Sequence, residues 1–460
     1  MKKSGLFSLS KSLFTRGLQC HKSLWLYKNR PELRAEPDAA LQARFDAGTE
    51  VGLLAQQLFP EGVALEYSSG IAKNISMTRE LLASGTETIH EATFRHDNVL
   101  AMVDILHKGP EGWELYEVKS STAIKDIFLN DTAVQYFVAA GSGIPISRVF
   151  IVHLNSQYTR MGELNLQALF TINDVTELTL NRLADVPQQL ADMRLTLKDD
   201  KEPDIDIGAY CGEPYECDFR PYCWKHIPRC SIFDIANLRN NRKFALYYGG
   251  TLHMQDIPAD FALSDNMKIQ VEAEQTGRDY INITNIREFL STATEPLGFL
   301  DFETFMEPVP SYDLQRPYQQ IPFQYSLHIK TMGRLTHHEF LAEPGRDPRR
   351  PFVEKLLADT EPCRTILVYN QVFEVTRLQE LANIFPDISE KISEIINKII
   401  DLMIPFRNRD YYVKAMCGSH SIKQVLPALV PDLSYNGLAI ADGETAMLAY
   451  SRLGKENSGA

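Results

Sequence analysis

The chain is 460 residues long, 44% hydrophobic and 23% charged, with a formal net charge of −13. That length accommodates two or three domains of about 100–200 residues each, and the composition is that of a globular protein able to bury sizeable cores. The acidic balance argues against a protein that coats DNA indiscriminately. No apolar run approaches the roughly 20 residues that span a bilayer, so a soluble, cytoplasmic protein without membrane contact is expected.

The N-terminus runs against the net charge. Residues 1–30 carry Lys2, Lys3, Lys11, Arg16, Lys22, Lys28 and Arg30 and no acid, with Phe7, Phe14, Trp25 and Tyr27 among them. Three readings fit this segment: a face for a phosphate backbone with stacking groups nearby, a basic amphipathic surface helix, or a transit peptide.

Apolar spacing over 41–59 predicts a helix with Phe45, Val51, Leu54 and Leu58 near one face. VLAMVDIL at 99–106 is a short β-branched apolar run, read as a buried strand. A turn at 108–112 follows, then WELYEVKSS, which alternates as a strand does. Residues 131–140 read as a helix and RVFIVHLN at 148–155 as a strand, giving an α/β or α+β core. The acidic stretch 198–206 leads into a cysteine cluster, and a boundary is expected near 230. Residues 235–262 read as two short helices around Tyr248-Gly249-Gly250, either a connecting pair or a helix-hairpin-helix whose turn amides hold a phosphate. A further unit starts near Pro296, with strands GFLDFET, FQYSLHIK and HHEFLA, a helix over 349–359, the strand TILVYN, and then helices. The domains expected are therefore 1–230, a helical linker over 231–295, and 296–455.

Asp104 lies near the end of one predicted strand, and Glu117 and Lys119 lie on the next. Strand side chains alternate, so Glu117 and Lys119 share a face, and pairing of the two strands lets Asp104 join them. Two carboxylates hold a hard divalent cation such as magnesium through oxygen. A cation so held lowers the pKa of its water and polarises a phosphate, while Lys119 positions the nucleophile and offsets developing charge. A surface salt-bridge ladder is the bland alternative. The apolar neighbours Val103, Ile105, Leu106 and Val118 make an unpaired charged trio costly there.

These residues resemble the PD-(D/E)XK nuclease superfamily, in particular its RecB-like branch and the CRISPR-associated exonucleases with an iron–sulfur cluster. That branch orders an Asp, a Glu-X-Lys and a Gln-bearing helix, matched here by Asp104 in VDIL, Glu117 and Lys119 in EVK, and Gln135 in DTAVQYF. The resemblance implies a restriction-endonuclease-like mixed sheet flanked by helices, a Mg2+ or Mn2+ cofactor, and DNA as substrate. The family's Gln is followed four residues on by Tyr, whereas position 139 is Ala and the tyrosine is Tyr136. Many members carry a metal-binding His on the early helix where this chain has Gly52, and Glu50 or His90 stands as its substitute.

Seven cysteines without a secretory signal predict a reducing compartment with free thiols or metal ligands. Cys211-X5-Cys217-X5-Cys223 is too widely spaced for paired zinc knuckles. The RecB-like iron–sulfur nucleases place one cysteine near the N-terminus and three after the catalytic core, a layout shared by Cys20, Cys211, Cys217 and Cys223. By that resemblance these four hold a 4Fe–4S cluster, closing a loop of about 190 residues. The first gap is longer than the family's usual X2. Cys230 is the alternative fourth ligand and a local zinc site the rival, while Cys363 and Cys417 read as buried free thiols.

The third unit opens on DFET, in which Asp301 and Glu303 share one strand face. Glu374 in YNQVFEVTRL, Asp401 in IIDLM and Asp442 at the head of a helix follow. The set resembles the DnaQ-like (DEDD) 3′–5′ exonucleases, an RNase-H-like α/β fold whose acids hold two metals. Glu374 stands where Asp is usual, and position 437 is Gly where a His or Tyr base is expected, leaving His420 or Tyr435 as substitutes. The whole chain is similar to bacterial proteins of uncharacterised function that fuse the two halves. The expectation is a metal-dependent deoxyribonuclease in repair, recombination or defence. The alternatives are a nucleic-acid-binding scaffold with degenerate sites and an RNA-processing nuclease.

Overall fold

The structure is a computed structural model that describes residues 8–435 and 437–458. The chain divides into two compact units, Met1–Trp224 with Glu307–Tyr318, and Lys225–Met306 with Gln319–Ala460. Both are mixed α/β. Residues 231–295, expected as a linker, fold within the second unit. Among the described residues no helix is long and apolar enough to cross a membrane.

The first unit begins with α1 (Lys11–Gln19) and α2 (His21–Asn29), then α3 (Ala39–Gln56) and α4 (Ile71–Ala83). Ser10 caps α1 by accepting from Leu13 N at 3.3 Å, and Asp38 caps α3 by accepting from Leu41 N at 2.7 Å. The sheet follows as β1 (Thr88–His96), β2 (Val99–Gly109), β3 (Gly112–Lys119), β4 (Ile146–Leu154) and β5 (Phe170–Asp174), in spatial order β1-β2-β3-β4-β5. α5 (Asp126–Gly141) crosses between β3 and β4, which pair in parallel. β1–β2, β2–β3 and β4–β5 are antiparallel. The β2–β3 turn is tighter than the expected 108–112, because Gly109 still pairs with Gly112. Gly112 has φ +147°, and a Cβ there would come within 3.0 Å of Pro145 O, so the hairpin requires glycine.

One face of this sheet packs on α5 through Phe128, Val134 and Val138, and the other receives Val51 and Ala55 of α3 beside Tyr116 and Phe150. Phe45, expected on the apolar face of α3, is exposed. The basic N-terminal segment belongs to this fold rather than forming a free helix. Phe14 and Trp25 are buried. Arg16 pairs with Asp218, Lys22 with Glu202, Arg30 with Glu32, and Lys28 donates to Ser8 O. Lys2, Lys3 and Phe7 lie outside the described residues.

The second unit opens with α6 (Asn240–Tyr248), α7 (Asp265–Thr276) and α8 (Ile283–Ser291). After Gly249-Gly250 there is only a 3₁₀ turn at Met254–Asp256, so neither the connecting helical pair nor the helix-hairpin-helix forms over 235–262. The sheet is β6 (Leu297–Phe305), β7 (Ile321–Thr331), β8 (Arg334–Leu341), β9 (Thr365–Val368) and β10 (Ile399–Asp401), in spatial order β8-β7-β6-β9-β10. β6–β7–β8 are antiparallel, and β9 pairs in parallel with both β6 and β10. Leu300, Phe302, Tyr325 and Leu327 bury one face against Phe352, Val353 and Leu356 of α9 (Arg349–Thr360). α10 (Val372–Ile384), α11 (Ser389–Asn397), α12 (Ile422–Leu429) and α13 (Gly443–Ser458) follow in chain order.

Candidate functional site

Register brings three carboxylates of the first unit into one row. β1 pairs His90 with Ile105 and Ala92 with Val103, which leaves Glu91 opposite Asp104. β3 pairs Tyr116 with Ile105, so the next step in the same register sets Glu117 beside Asp104. The β2–β3 ladder ends at that step. Beyond it Leu9 and Ser10 pair with Val99 and Leu100, so the chain enters α1 at the fork between the two strands. Asp104 Oδ2 accepts from Val118 N at 2.6 Å, a side chain taking the place of a ladder acceptor. Glu91 holds φ +58°, a left-handed conformation uncommon outside glycine and costly in a strand.

Glu117 is 1% exposed and fully engaged. Its Oε1 accepts from Lys11 Nζ at 2.8 Å and Lys119 Nζ at 2.6 Å, and its Oε2 from Gln135 Nε2 at 2.6 Å. Lys119 also donates to Asp131 Oδ2 at 2.6 Å, and Asp131 Oδ1 accepts from Thr15 at 2.9 Å. Gln135 donates its second hydrogen to Met102 O at 2.9 Å. Its buried Oε1 has no hydrogen-bond partner among the described residues.

Burial raises the Asp104 carboxyl, and repulsion from Glu117 and Glu91 raises it further against the pull of Lys11, to about 8. Glu91 is raised, by burial first and then by Glu117. Burial pushes Glu117 up as well, but Lys11 and Lys119 outweigh it and hold the group down at about 2. Lys119 is raised despite burial, by Glu117 and Asp131. The expected trio and Gln135 thus meet, joined by Glu91, Lys11, Asp131 and Thr15. Neither expected substitute for the helix histidine is placed there. His90 packs against Gly62, and exposed Glu50 has Glu307 as its charged neighbour.

Cys20, Cys211, Cys217 and Cys223 line one small cavity together with Ser23, Ile205 and Phe219. Cys20 sits between α1 and α2, with its Sγ accepting from Ser23 N at 3.4 Å. Cys217 N donates to Cys211 O at 2.9 Å, which folds the X5 loop back on itself. Burial pushes the Cys223 thiol up to about 11, with Cys217, Cys211 and Cys20 adding to the rise against Lys22. Burial raises Cys20 as well, with Cys217 and Cys211 adding to it. Arg16 donates to both oxygens of Asp218 at 2.7 and 2.9 Å, and Arg34 to Oδ2 at 2.5 Å, which pins the cysteine segment to the N-terminal helices. Cys230 does not join this cavity. It is disulfide-bonded to Cys417, with a Cα–Cα distance of 5.1 Å, which corrects the reading of Cys417 as a free thiol and of Cys230 as an alternative ligand. Cys363 is buried and free as expected.

In the second unit Asp301 and Glu303 project from β6, Glu374 from the first turn of α10, and Asp442 from the start of α13. Burial lifts Glu303 to about 7, with Asp301 and Asp442 adding to it against Lys423. Gly443 lies so near that a Cβ would come within 2.9 Å of Glu303 Oε2. Burial lifts Glu374 to about 8, with Asp301 and Asp401 adding to it. Asp301 therefore neighbours both Glu303 and Glu374, Asp442 neighbours Glu303, and Asp401 neighbours Glu374 from β10. Asp401 Oδ1 accepts from Asn370 N and Met403 N, each at 2.9 Å. Glu374 Oε2 and Asp401 Oδ2 are buried without a hydrogen-bond partner among the described residues, although Arg407 stands 3.7 Å from the latter. Of the two expected bases, Tyr435 lies near Asp301, whereas the charged neighbours of His420 are Arg409 and Arg407.

Among the described residues no group of three or more His, Cys, Asp or Glu side chains closes on a single point as one metal ion would require. In the first site two ammonium groups already fill Glu117 Oε1. The donor chemistry of both acid clusters nonetheless suits a hard divalent cation, because carboxylates lifted by burial and then by mutual repulsion are relieved by positive charge.

Residues 298–421 match the family model of a domain of unknown function, DUF2779. The match includes Asp301, Glu303, Glu374 and Asp401 and ends before Asp442. No curated protein matches the chain.

Proposed function

We propose that the chain is a metal-dependent nuclease that hydrolyses phosphodiester bonds in DNA, with a RecB-like PD-(D/E)XK site in its first unit and a DnaQ-like site in its second. The observation that carries this reading is the row Glu91, Asp104 and Glu117 across neighbouring strands, with Lys119 and Gln135 hydrogen-bonded to Glu117. Asp104 and Glu117 would hold Mg2+ or Mn2+, with Glu91 beside them. Such a cation supplies a polarised phosphate oxygen and a water of lowered pKa.

The chain's own residues do the positioning. Gln135 fixes the rotation of the Glu117 carboxylate through Oε2. Asp131 holds Lys119 through a second hydrogen bond at 2.6 Å, so the ammonium would be fixed where charge develops on the phosphate and no reorganisation would be needed during reaction. In the second unit Asp301, Glu303, Glu374 and Asp442 would form the corresponding acidic set, and Tyr435, whose phenol is kept protonated by burial and by Asp301, would orient a water through its hydroxyl rather than act as base.

We assign Cys20, Cys211, Cys217 and Cys223 to a 4Fe–4S cluster, supported by four thiols facing one cavity without converging on a point. Thiolates suit soft, iron–sulfur-type ligation. Cleavage of end-labelled single- and double-stranded DNA and of matched RNA, with Mg2+, Mn2+ or EDTA, tests the proposal. DNA cleavage that requires metal is expected. Preferred cleavage of RNA would reassign the substrate, and folded protein that binds nucleic acid without cutting it would leave a scaffold.

A further inference from the structure

Lys11 belongs to the basic N-terminal segment, and the fold gives it a particular place. It opens α1 in the fork where β2 and β3 part, and its Nζ reaches Glu117 Oε1 at 2.8 Å. The charged groups facing it are Glu117 and Lys119 on β3, Asp104 on β2, Asp131 on α5 and Glu91 on β1. Three carboxylates in one row at low dielectric repel one another unless a cation stands among them.

Lys119 is held from two sides, by Glu117 and Asp131. Lys11 is held from one. Among the described residues its Nζ donates to Glu117 alone, and its side chain is 26% exposed against 2% for Glu117. The backbone of α1 is fixed independently by the Ser10 cap, by Thr15 on Asp131 and by Arg16 on Asp218. The Lys11 side chain can therefore leave Glu117 without the helix moving.

Resting on the proposed reading of this row as a cation site, we propose that Lys11 is a built-in counter-ion for Glu91, Asp104 and Glu117, which a divalent cation must displace from Glu117 in order to bind. The ammonium keeps the row folded before metal arrives and sets the metal concentration at which the site fills. A neutral side chain of similar length removes the competitor and the counter-ion together. Metal affinity then rises while metal-free stability falls.

The test uses the full chain carrying Asp301→Ala and Glu303→Ala, so that Mn2+ binding reports on the first site. Mn2+ affinity is measured by calorimetry, and melting temperature is measured in EDTA and in saturating Mn2+. Lys11→Met is expected to bind Mn2+ several-fold more tightly than the parent, to melt lower in EDTA, and to gain more on adding Mn2+. Lys11→Arg keeps the charge and is expected to bind as the parent does. Lys11→Met that folds only with Mn2+ supports the proposal, and Lys11→Met that is unfolded equally with and without Mn2+ overturns it. Equal affinity in parent and Lys11→Met overturns the proposal while leaving the cation site standing, as does Lys11→Arg binding as tightly as Lys11→Met. Binding by neither protein overturns both.

Discussion

Lys119 and Asp131 form an ion pair, Nζ to Oδ2 at 2.6 Å, in addition to the one that Lys119 makes with Glu117. The pair joins β3 to α5, and it is why the lysine of the Glu-X-Lys motif points one way. Asp131→Asn keeps the shape and weakens the hold. It is expected to lower the cleavage rate by about 10–100-fold, the range seen when outer-shell partners are lost, with circular dichroism unchanged. Steady-state kinetics at saturating metal checks this, and a rate equal to the parent's would remove Asp131 from the site.

Asp218 carries much of the tie between the cysteine segment and the N-terminal helices, through Arg16 and Arg34. Burial raises its carboxyl, but the two guanidinium groups outweigh burial and hold it below the usual range. A folded-state value below the unfolded one, about 3.9, adds stability above that pH and loses it as pH falls through the folded value. Asp218→Asn is expected to cost about 1–3 kcal/mol near neutrality, with a smaller loss below about pH 4. Denaturant melts at both pH values measure the difference, and a loss that grows on acidification would contradict the assignment.

The four-thiol cavity and the Cys230–Cys417 pair separate two roles that spacing leaves mixed. Anaerobically purified protein is expected to carry about four irons per chain, lost or sharply reduced in Cys20→Ala and in Cys223→Ala. Cys230→Ala is expected to retain them, since its sulfur is bonded to Cys417. Iron and acid-labile sulfide assays with visible absorbance decide this, and zinc in place of iron would reverse it.

Asp401 ends β10 with one oxygen accepting two backbone N–H groups. Asp401→Ala orphans both donors and is expected to destabilise the second unit by roughly 2–4 kcal/mol. Asp442 is exposed but caps α13, its Oδ1 accepting from Thr445 N at 2.8 Å, so Asp442→Ala is expected to cost only about 1 kcal/mol. Melting of both variants tests the contrast.

Much of the first site was legible because it follows from alternation. An acid on one strand, a tight turn and Glu-X-Lys on the next place Asp104, Glu117 and Lys119 together once the hairpin forms, and Gln135 was legible only through the resemblance to the RecB-like branch. Glu91 was not legible, since it reaches the row through a left-handed backbone that no strand pattern signals. Lys11 was not legible because it arrives from 106 residues upstream, at a fork created by strands that diverge. In the second unit Ile399-Ile400-Asp401 reads as part of a helical run, and only pairing with β9 makes it a strand. Cys230 and Cys417 are 187 residues apart, a pairing that spacing cannot supply. Asp301 and Glu303 of DFET were legible, because a strand DXE puts both carboxylates on one face wherever that strand lies, whereas Glu374 was legible only through the resemblance to the DnaQ-like acids.

The most direct test of the account is cleavage of end-labelled DNA by anaerobically purified protein in Mg2+, comparing the parent with Lys119→Ala and with Asp301→Ala/Glu303→Ala. Metal-dependent cleavage that is lowered by Lys119→Ala, lowered by the second-unit double variant and abolished when the two are combined is the expected result. Cleavage that persists when Lys119, Asp301 and Glu303 are all replaced would contradict it.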